Sequence, residues 1–332
     1  MRTHAPPSAA RSVSLAGHSA VVTGGSRGLG LLIADRLAAR GCVVTLAARD
    51  EDELDDARAK LQPRHPQVAV RTSVCDVRDE AAVDAMMRGA HEAAGGPDIV
   101  VANAGIIQVA PLESIDDRDF AAAMDTMFLG AAHTALAALP HLRESPHGGR
   151  LALVSSVGGL LGVPHLLPYA CAKAATGVLA EGLHAEVAAD GVSVTAVYPG
   201  LMRTGSHLHA QFGGEHTKEY AWFSALAGAP LISMNAQRAA ERIVHALVRR
   251  RTRLVLTPAA RAADLAHGVA PALTTRLNSL AARLLPSGPR GREPLREGKD
   301  VASPQGPVTG RLQGLGSAMN EEAADAYNQR AD

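Results

Sequence analysis

Seven short apolar runs recur along the chain, at residues 20–23, 42–47, 68–72, 98–102, 150–154, 192–198 and 253–257. Most are continuous stretches of Val, Ala, Leu and Ile without polar alternation, the pattern of parallel strands buried on both faces. Between them, residues 29–40, 51–61, 79–94, 116–142 and 169–189 have the period and length of helices. Strand alternating with helix predicts an α/β fold built on a doubly wound parallel sheet flanked by helices. Local signals agree: Gly41 follows the first helical run as a left-handed terminator would, and Asp50 and Glu53 have capping-box spacing at the second.

The pattern divides the 332-residue chain into three. Residues 1–17, rich in Ala, Pro and Ser, read as a flexible arm. Residues 18–258 carry the alternation, with a substrate lid expected at 205–235. Residues 259–332 form a C-terminal extension. In it, 259–285 is an Ala/Leu/Arg-rich amphipathic helical stretch, and the Gly/Pro-rich remainder is an extended tail. Packing on the body is the favoured role of the amphipathic stretch; a subunit contact or a membrane-surface contact also fits it.

Composition narrows the functional classes. A zero formal net charge leaves no electrostatic footprint for nucleic acid. The basic run 249–253 reads as a solvated helix end. Cys42, Cys75 and Cys171 lie far apart with no metal or disulfide framework, as for reduced thiols in a cytoplasmic protein. The N-terminus lacks the apolar core of a secretory signal, and no uncharged apolar run approaches the ~20 residues of a transmembrane span. A soluble enzyme with a small-molecule ligand is the expectation.

Two features carry chemistry. The strand at 20–23 runs into GGSRGLG and then a helix, a turn in which glycines let the backbone approach a pyrophosphate held by helix-start N–H groups. Tyr169 and Lys173, four apart in a helical run, project from one helix face. At ~4 Å and an effective dielectric of ~20, an ammonium stabilises a phenolate by roughly 4 kcal/mol, about three pKa units.

In order along residues 18–257 stand Thr23-Gly24-x-x-x-Gly28-x-Gly30, Cys75-Asp76-Val77, Asn103-Ala104-Gly105, Ser156, Tyr169-x-x-x-Lys173, and Pro199-Gly200 with Thr204. This ordered set resembles the short-chain dehydrogenase/reductase family. The resemblance implies a Rossmann-type domain binding a nicotinamide dinucleotide, with catalytic Ser156, Tyr169 and Lys173. It implies cofactor contacts from Thr23, Gly24, Ser26, Arg27, Gly28, Leu29, Gly30, Arg49, Asp76, Val77, Asn103, Ala104, Gly105, Pro199, Gly200 and Thr204, besides Tyr169 and Lys173. Asp76 would meet the adenine amino group and Val77 flank the ring, while Asn103 would either bridge strands or touch the ligand. Ser155 reads as structural.

An acid at the end of the second strand marks NAD, whereas arginines mark the 2′-phosphate of NADP. Alanine stands where the family's acid would fall, Arg49 follows, and Arg27 resembles the second basic residue of NADP-preferring members, so NADP is favoured over NAD. One departure stands out: Met127 occupies the place of the family's catalytic asparagine, and a thioether cannot hold the water of the usual proton relay. His133 reads as packing or surface.

The lid concentrates Leu208, Phe212, Tyr220, Trp222, Phe223 and Leu226 in a chain with only 3% aromatics. That fits an apolar carbonyl substrate or, equally, contact with the C-terminal helix. His207, His209 and His216 share the lid without a metal-ligand pattern, and no metal is expected. The reading is an NADP(H)-dependent carbonyl reductase or alcohol dehydrogenase, a homodimer or homotetramer paired through the helices at 116–142 and 169–189. The alternative is a catalytically weak or inactive dinucleotide-binding regulator of the same fold. A nucleotide-sugar epimerase or dehydratase is disfavoured, since TGxxGxxG and a longer substrate domain are both lacking.

Overall fold

The computed structural model describes residues 13–228, 233–286, 288, 294–301 and 326–329. The expected arm at 1–17 and tail beyond 286 therefore lie largely outside the described residues.

All seven predicted strands form, as β1 (Ser19–Thr23), β2 (Val43–Ala48), β3 (Val70–Val74), β4 (Ile99–Ala102), β5 (Arg150–Val154), β6 (Ser193–Tyr198) and β7 (Arg253–Val255). They make one sheet ordered β7-β6-β5-β4-β1-β2-β3, and every pairing is parallel. The chain order reverses between β1 and β4, which opens a crevice at the carboxyl ends of those strands, the place where such sheets take ligands.

Among the described residues eleven helices flank or extend the sheet: α1 (Gly28–Ala38), α2 (Glu51–Leu61), α3 (Glu80–Ala94), α4 (Asp117–Ala123), α5 (Gly130–Glu144), α6 (Leu167–Val187), α7 (His216–Gly228), α8 (Ala236–Val248), α9 (Pro258–Val269), α10 (Pro271–Ala282) and the short α11 (Gly298–Val301). Successive strand residues point to opposite faces. Val22, Val44 and Val101 accordingly pack against Ile33, Leu37, Leu54 and Ile243 of α1, α2 and α8. Val21, Val100 and Leu151 pack on the other face, against Met86, Ala135, Leu142 and Ala180 of α3, α5 and α6.

Three expectations change. The helix predicted over 116–142 is α4, a π-helical segment Met124–Leu129, and α5. Thr176 of α6 donates to the Met127 carbonyl at 3.0 Å and to the Ala172 carbonyl at 2.8 Å, supplying a partner where the regular helical ladder is interrupted. By length and composition the run Asp117–Glu144 is apolar enough to cross a bilayer, but Ala135, Ala138 and Leu142 are buried in the core as in an ordinary sheet-packing helix.

The amphipathic stretch at 259–285 is two helices broken before Pro271, and it packs on the body far less than expected. Ala260 is its one buried helical residue, while Leu265, Val269, Leu273, Leu277, Leu280 and Leu284 are exposed. The third change concerns residues 205–235, the segment expected as a lid, which include α7 and contribute to two small ribbons. Gln211–Phe212 pairs with Gln108–Val109 and, from the C-terminal region, with Arg296–Glu297; Met202–Arg203 pairs with Met234–Asn235.

The hydroxyl of Thr176 is fully enclosed, so Thr176→Val strips the Met127 carbonyl of its partner at nearly constant volume. The expected loss is about 1–2 kcal/mol of unfolding free energy in urea; an unchanged midpoint would show that the π-helical segment does not need this bond.

Candidate active site

Helix α6 begins with Pro168, a favourable residue in a first helical turn, and carries Tyr169 and Lys173 one turn apart. Two hydrogen bonds fix it on the end of β5. The Lys173 ammonium donates to the Val154 carbonyl at 2.7 Å, and the Ser155 hydroxyl donates to the Lys173 carbonyl at 2.6 Å. The structural role expected of Ser155 is this clamp.

Ser156 follows, capping a short 3-10 turn by accepting the Gly158 N–H at 3.2 Å. A Cβ placed on Gly158 would lie 3.4 Å from Tyr169 Cε1 and 3.7 Å from Ser156 Oγ, so serine and tyrosine converge on one small residue. The Ser156 hydroxyl lies near enough to the phenol to favour its ionised form, and the Lys173 ammonium lies 5.9 Å from the tyrosine ring centroid.

Burial dominates the electrostatics. It lowers the Lys173 pKa to about 8. It also raises that of Tyr169, against which the neighbouring Ser156 hydroxyl acts in the lowering direction. The sequence-based expectation of an acidified tyrosine therefore does not hold for the chain alone. Two adjacent groups leave water together, and the ammonium is already engaged with a carbonyl, so desolvation outweighs their mutual attraction.

Met127 does stand beside these groups. It is buried with Ala123 and Ala172, against partly buried Tyr169 and Ile106. A Cβ on Gly105 would meet Met127 Cγ at 3.3 Å and Lys173 Nζ at 3.5 Å. His133 bonds through Nδ1 to the Val77 carbonyl at 3.0 Å, consistent with packing rather than chemistry.

The glycine turn leaves β1 at the crevice. Asn103 donates through Nδ2 to the carbonyls of Thr23 and Gly24, both at 3.1 Å, and its own N–H bonds to Thr23 Oγ1 at 3.0 Å. Of the two roles weighed for Asn103, bridging β1 and β4 is the one these bonds make. Gly24 has φ +62°, and a Cβ there would lie 2.9 Å from Ala104 Cα; a Cβ on Gly30 would collide with the Gly24 carbonyl oxygen. A cradle this tight, opening α1 at its helix-start amides, fits a pyrophosphate.

Around the turn, Asp76 is chelated by Arg78 through both carboxylate oxygens, which with Arg49 nearby holds it below the usual carboxylate range. Val77 is buried, Arg49 is exposed, and the partly buried Arg27 pairs with Glu53, which also accepts from Ser26 at 2.9 Å. Asp50 is the N-cap of α2, accepting from Glu53 N–H at 3.0 Å. Leu29 and Ala104 are partly buried beside the turn. Thr204 is buried and accepts from Ser206 N–H, while Pro199 accepts from Val157 N–H, so the loop after β6 runs alongside Ser156.

The aromatic rings of residues 205–235 are largely spent on one another. Phe212, Tyr220 and Phe223 form edge-on or tilted contacts and a small core with Val109, Ala210 and Val301, with Trp222 at its margin. His207 packs near Tyr220, His209 bonds to the Gln329 carbonyl and His216 to the Pro294 carbonyl, so the three histidines serve separate contacts.

Three polar elements had escaped the sequence reading. Glu219, fully buried, accepts from Trp222 at 2.6 Å and pairs with His165 at 3.0 Å, tying α7 to the loop between Ser156 and Tyr169. Glu53 reaches across to the glycine turn. The segment Tyr327–Gln329 lies on that turn, where the Tyr327 carbonyl accepts the Gly28 N–H at 2.8 Å. Only Glu53 had a signal, its capping-box spacing, and that pointed to a different partner.

The family model for short chain dehydrogenases matches residues 18–211. A fatty acyl-CoA reductase of Acinetobacter baylyi is 31% identical over 273 residues, which cover 82% of this chain and 86% of that protein. Among solved structures, the NADPH-bound structure of a Pseudomonas aeruginosa short chain oxidoreductase containing an atypical catalytic center matches at TM-score 0.63 and 26% identity, covering 74% of this chain and 97% of that one. A Mycobacterium paratuberculosis short chain dehydrogenase bound to NAD shares the fold at TM-score 0.65 and 24% identity, covering 74% and 97%.

With isotope-labelled lysine side chains observed by NMR, the Lys173 resonance of the free protein is expected to titrate near pH 8. A midpoint at the ordinary value of 10.5 would contradict its burial as an ammonium.

Proposed function

Because the chain belongs to the short-chain dehydrogenase/reductase family of oxidoreductases, we propose that it is an NADP(H)-dependent reductase of an apolar, long-chain aldehyde or ketone. The observation that carries this reading is the convergence of Ser156, Tyr169 and Lys173 beside the glycine turn. The bound dinucleotide supplies the hydride.

The chain's own residues supply the rest. Ser156 donates a hydrogen bond to the carbonyl oxygen and polarises it. The Tyr169 hydroxyl gives that oxygen its proton as the carbon accepts the hydride, leaving an alcohol and a phenolate. A raised tyrosine pKa keeps the proton in place at neutral pH, the correct starting state for reduction. Lys173, charged below about pH 8, stabilises the phenolate as it forms and would hold the nicotinamide ribose of a bound dinucleotide. With Met127 in place of a polar relay, the proton that restores the Tyr169 hydroxyl comes through Lys173, which is itself reprotonated directly by water entering past exposed Gly105.

Ala48 at the end of β2, followed by exposed Arg49 and with Arg27 in the turn, supports NADP over NAD. Residues 18–258 would hold cofactor and substrate, with 205–235 as the lid and 259–332 as an appendage. The fatty acyl group in the Acinetobacter relative's name, the partly exposed Leu208 and Trp222 and the exposed Leu226 support a long apolar substrate. Exposed Leu129 and Leu136 beside and on α5, and Val178 on α6, support homo-oligomerisation through those helices. The three free cysteines support a reducing, cytoplasmic setting. The same family also admits a non-catalytic regulator, a reading favoured only by Met127.

NADPH oxidation should therefore be seen with fatty aldehydes, and Tyr169→Phe should lower kcat by about 10²–10⁴-fold with cofactor binding retained. Cofactor binding with equal, background turnover in both chains would favour the regulator. Arg27→Ala and Arg49→Ala should each erode the preference for NADPH over NADH by about tenfold in kcat/KM, the scale of one charge-assisted contact; unchanged preference in both would reject the arginine clamp.

A further inference from the structure

The glycine turn already has an occupant. The Tyr327 carbonyl takes the Gly28 N–H at 2.8 Å. Asn328 Nδ2 donates to the carbonyls of Ser26 and Glu53 at 3.1 and 3.2 Å, and Lys60 donates to Asn328 Oδ1 at 2.6 Å. The Gln329 carbonyl bonds to His209 of the lid at 2.7 Å, and its amide nitrogen lies 2.5 Å from where a Gly28 Cβ would project. All three tail residues are buried, and Asn328 sits at φ +58°, a left-handed backbone that asparagine adopts more readily than most side chains.

A backbone carbonyl oxygen carries partial negative charge. Aimed at the first amide of α1, it satisfies the same donor that a phosphate oxygen would use. The contact joins residues about three hundred positions apart through side-chain and main-chain bonds together, which distinguishes it from a tail resting on a surface. Carbonyl and phosphate cannot share one N–H at hydrogen-bonding distance.

We propose that Tyr327–Gln329 is a built-in competitor for the pyrophosphate subsite, so that the free chain is autoinhibited and the dinucleotide binds only after this segment leaves. The proposal rests on the reading of the turn as a dinucleotide site. Apparent cofactor affinity is then the intrinsic affinity scaled by the fraction of chains with the segment released. Because Gln329 also holds His209, release of the segment frees one anchor of the lid as the cofactor enters.

The test is calorimetric titration of NADPH into the full-length chain, Asn328→Ala and Lys60→Met. Asn328→Ala removes three hydrogen bonds from the docked segment and should tighten the apparent Kd by about tenfold. Lys60→Met removes one and should tighten it by about threefold. The kcat at saturating cofactor should be unchanged in both. In the unaltered chain, NADPH should accelerate hydrogen exchange at the amides of Tyr327–Gln329. If the unaltered chain binds NADPH and both variants bind it equally or more weakly, the competitor is rejected while the cofactor reading stands. If no chain binds either NADPH or NADH, both fall together.

Discussion

The hydrogen bond from the Lys173 ammonium to the Val154 carbonyl is the contact on which the arrangement of the site depends. With the return bond from Ser155 to the Lys173 carbonyl, it sets the position of α6 against the end of β5. Ser156 then follows Ser155 off the strand and Tyr169 lies one helical turn before the lysine, so both side chains flank Gly158 without any further device. The cost is a buried cation. Its folded pKa of about 8 lies below its ordinary 10.5, so between those values the unfolded chain binds more protons and this group's contribution to stability rises with pH. Below that window the site keeps a charge that the fold alone would rather lose, a common sign that function, not stability, selects the residue.

Much of this was legible in the sequence, for physical reasons that differ by element. The seven strands are buried on both faces, which forces continuous apolar runs; only their ends shifted by a residue or two, because strand ends are set by pairing partners. Tyr169 and Lys173 were legible because helical spacing alone puts them on one face. The direction of the tyrosine's pKa was not, because spacing supplies the attraction between two groups and says nothing of the water both lose. The π-helical segment at Met124–Leu129 leaves no mark in the periodicity, since it depends on Thr176 from another helix. The break at Pro271 was visible as a proline, yet the outward turn of the leucine face on α9 and α10 was not. Long-range contacts such as Glu219 with His165, or Asn328 with Ser26, have no local signature at all.

At the cofactor end, compensation is a recurring theme. Arg27 leans on Glu53, Asp76 on Arg78, and the helix-start amide of Gly28 on the Tyr327 carbonyl. These three groups thus have internal partners in the chain alone. Binding is an exchange of partners, with net affinity set by a difference between two similar interactions. Residues 205–235 follow the same logic, their aromatic rings packed on each other and their buried glutamate held by His165 and Trp222.

The central claim is that a carbonyl carbon receives hydride at this site while Tyr169 protonates its oxygen. Mass spectrometry of the alcohol formed from a fatty aldehyde and NADPH deuterated at the transferable position tests it most directly. A single deuterium on the carbinol carbon, formed by the unaltered chain and lost with Tyr169→Phe, is the predicted result. An alcohol without deuterium, or deuterated product formed equally well by both chains, would contradict the account.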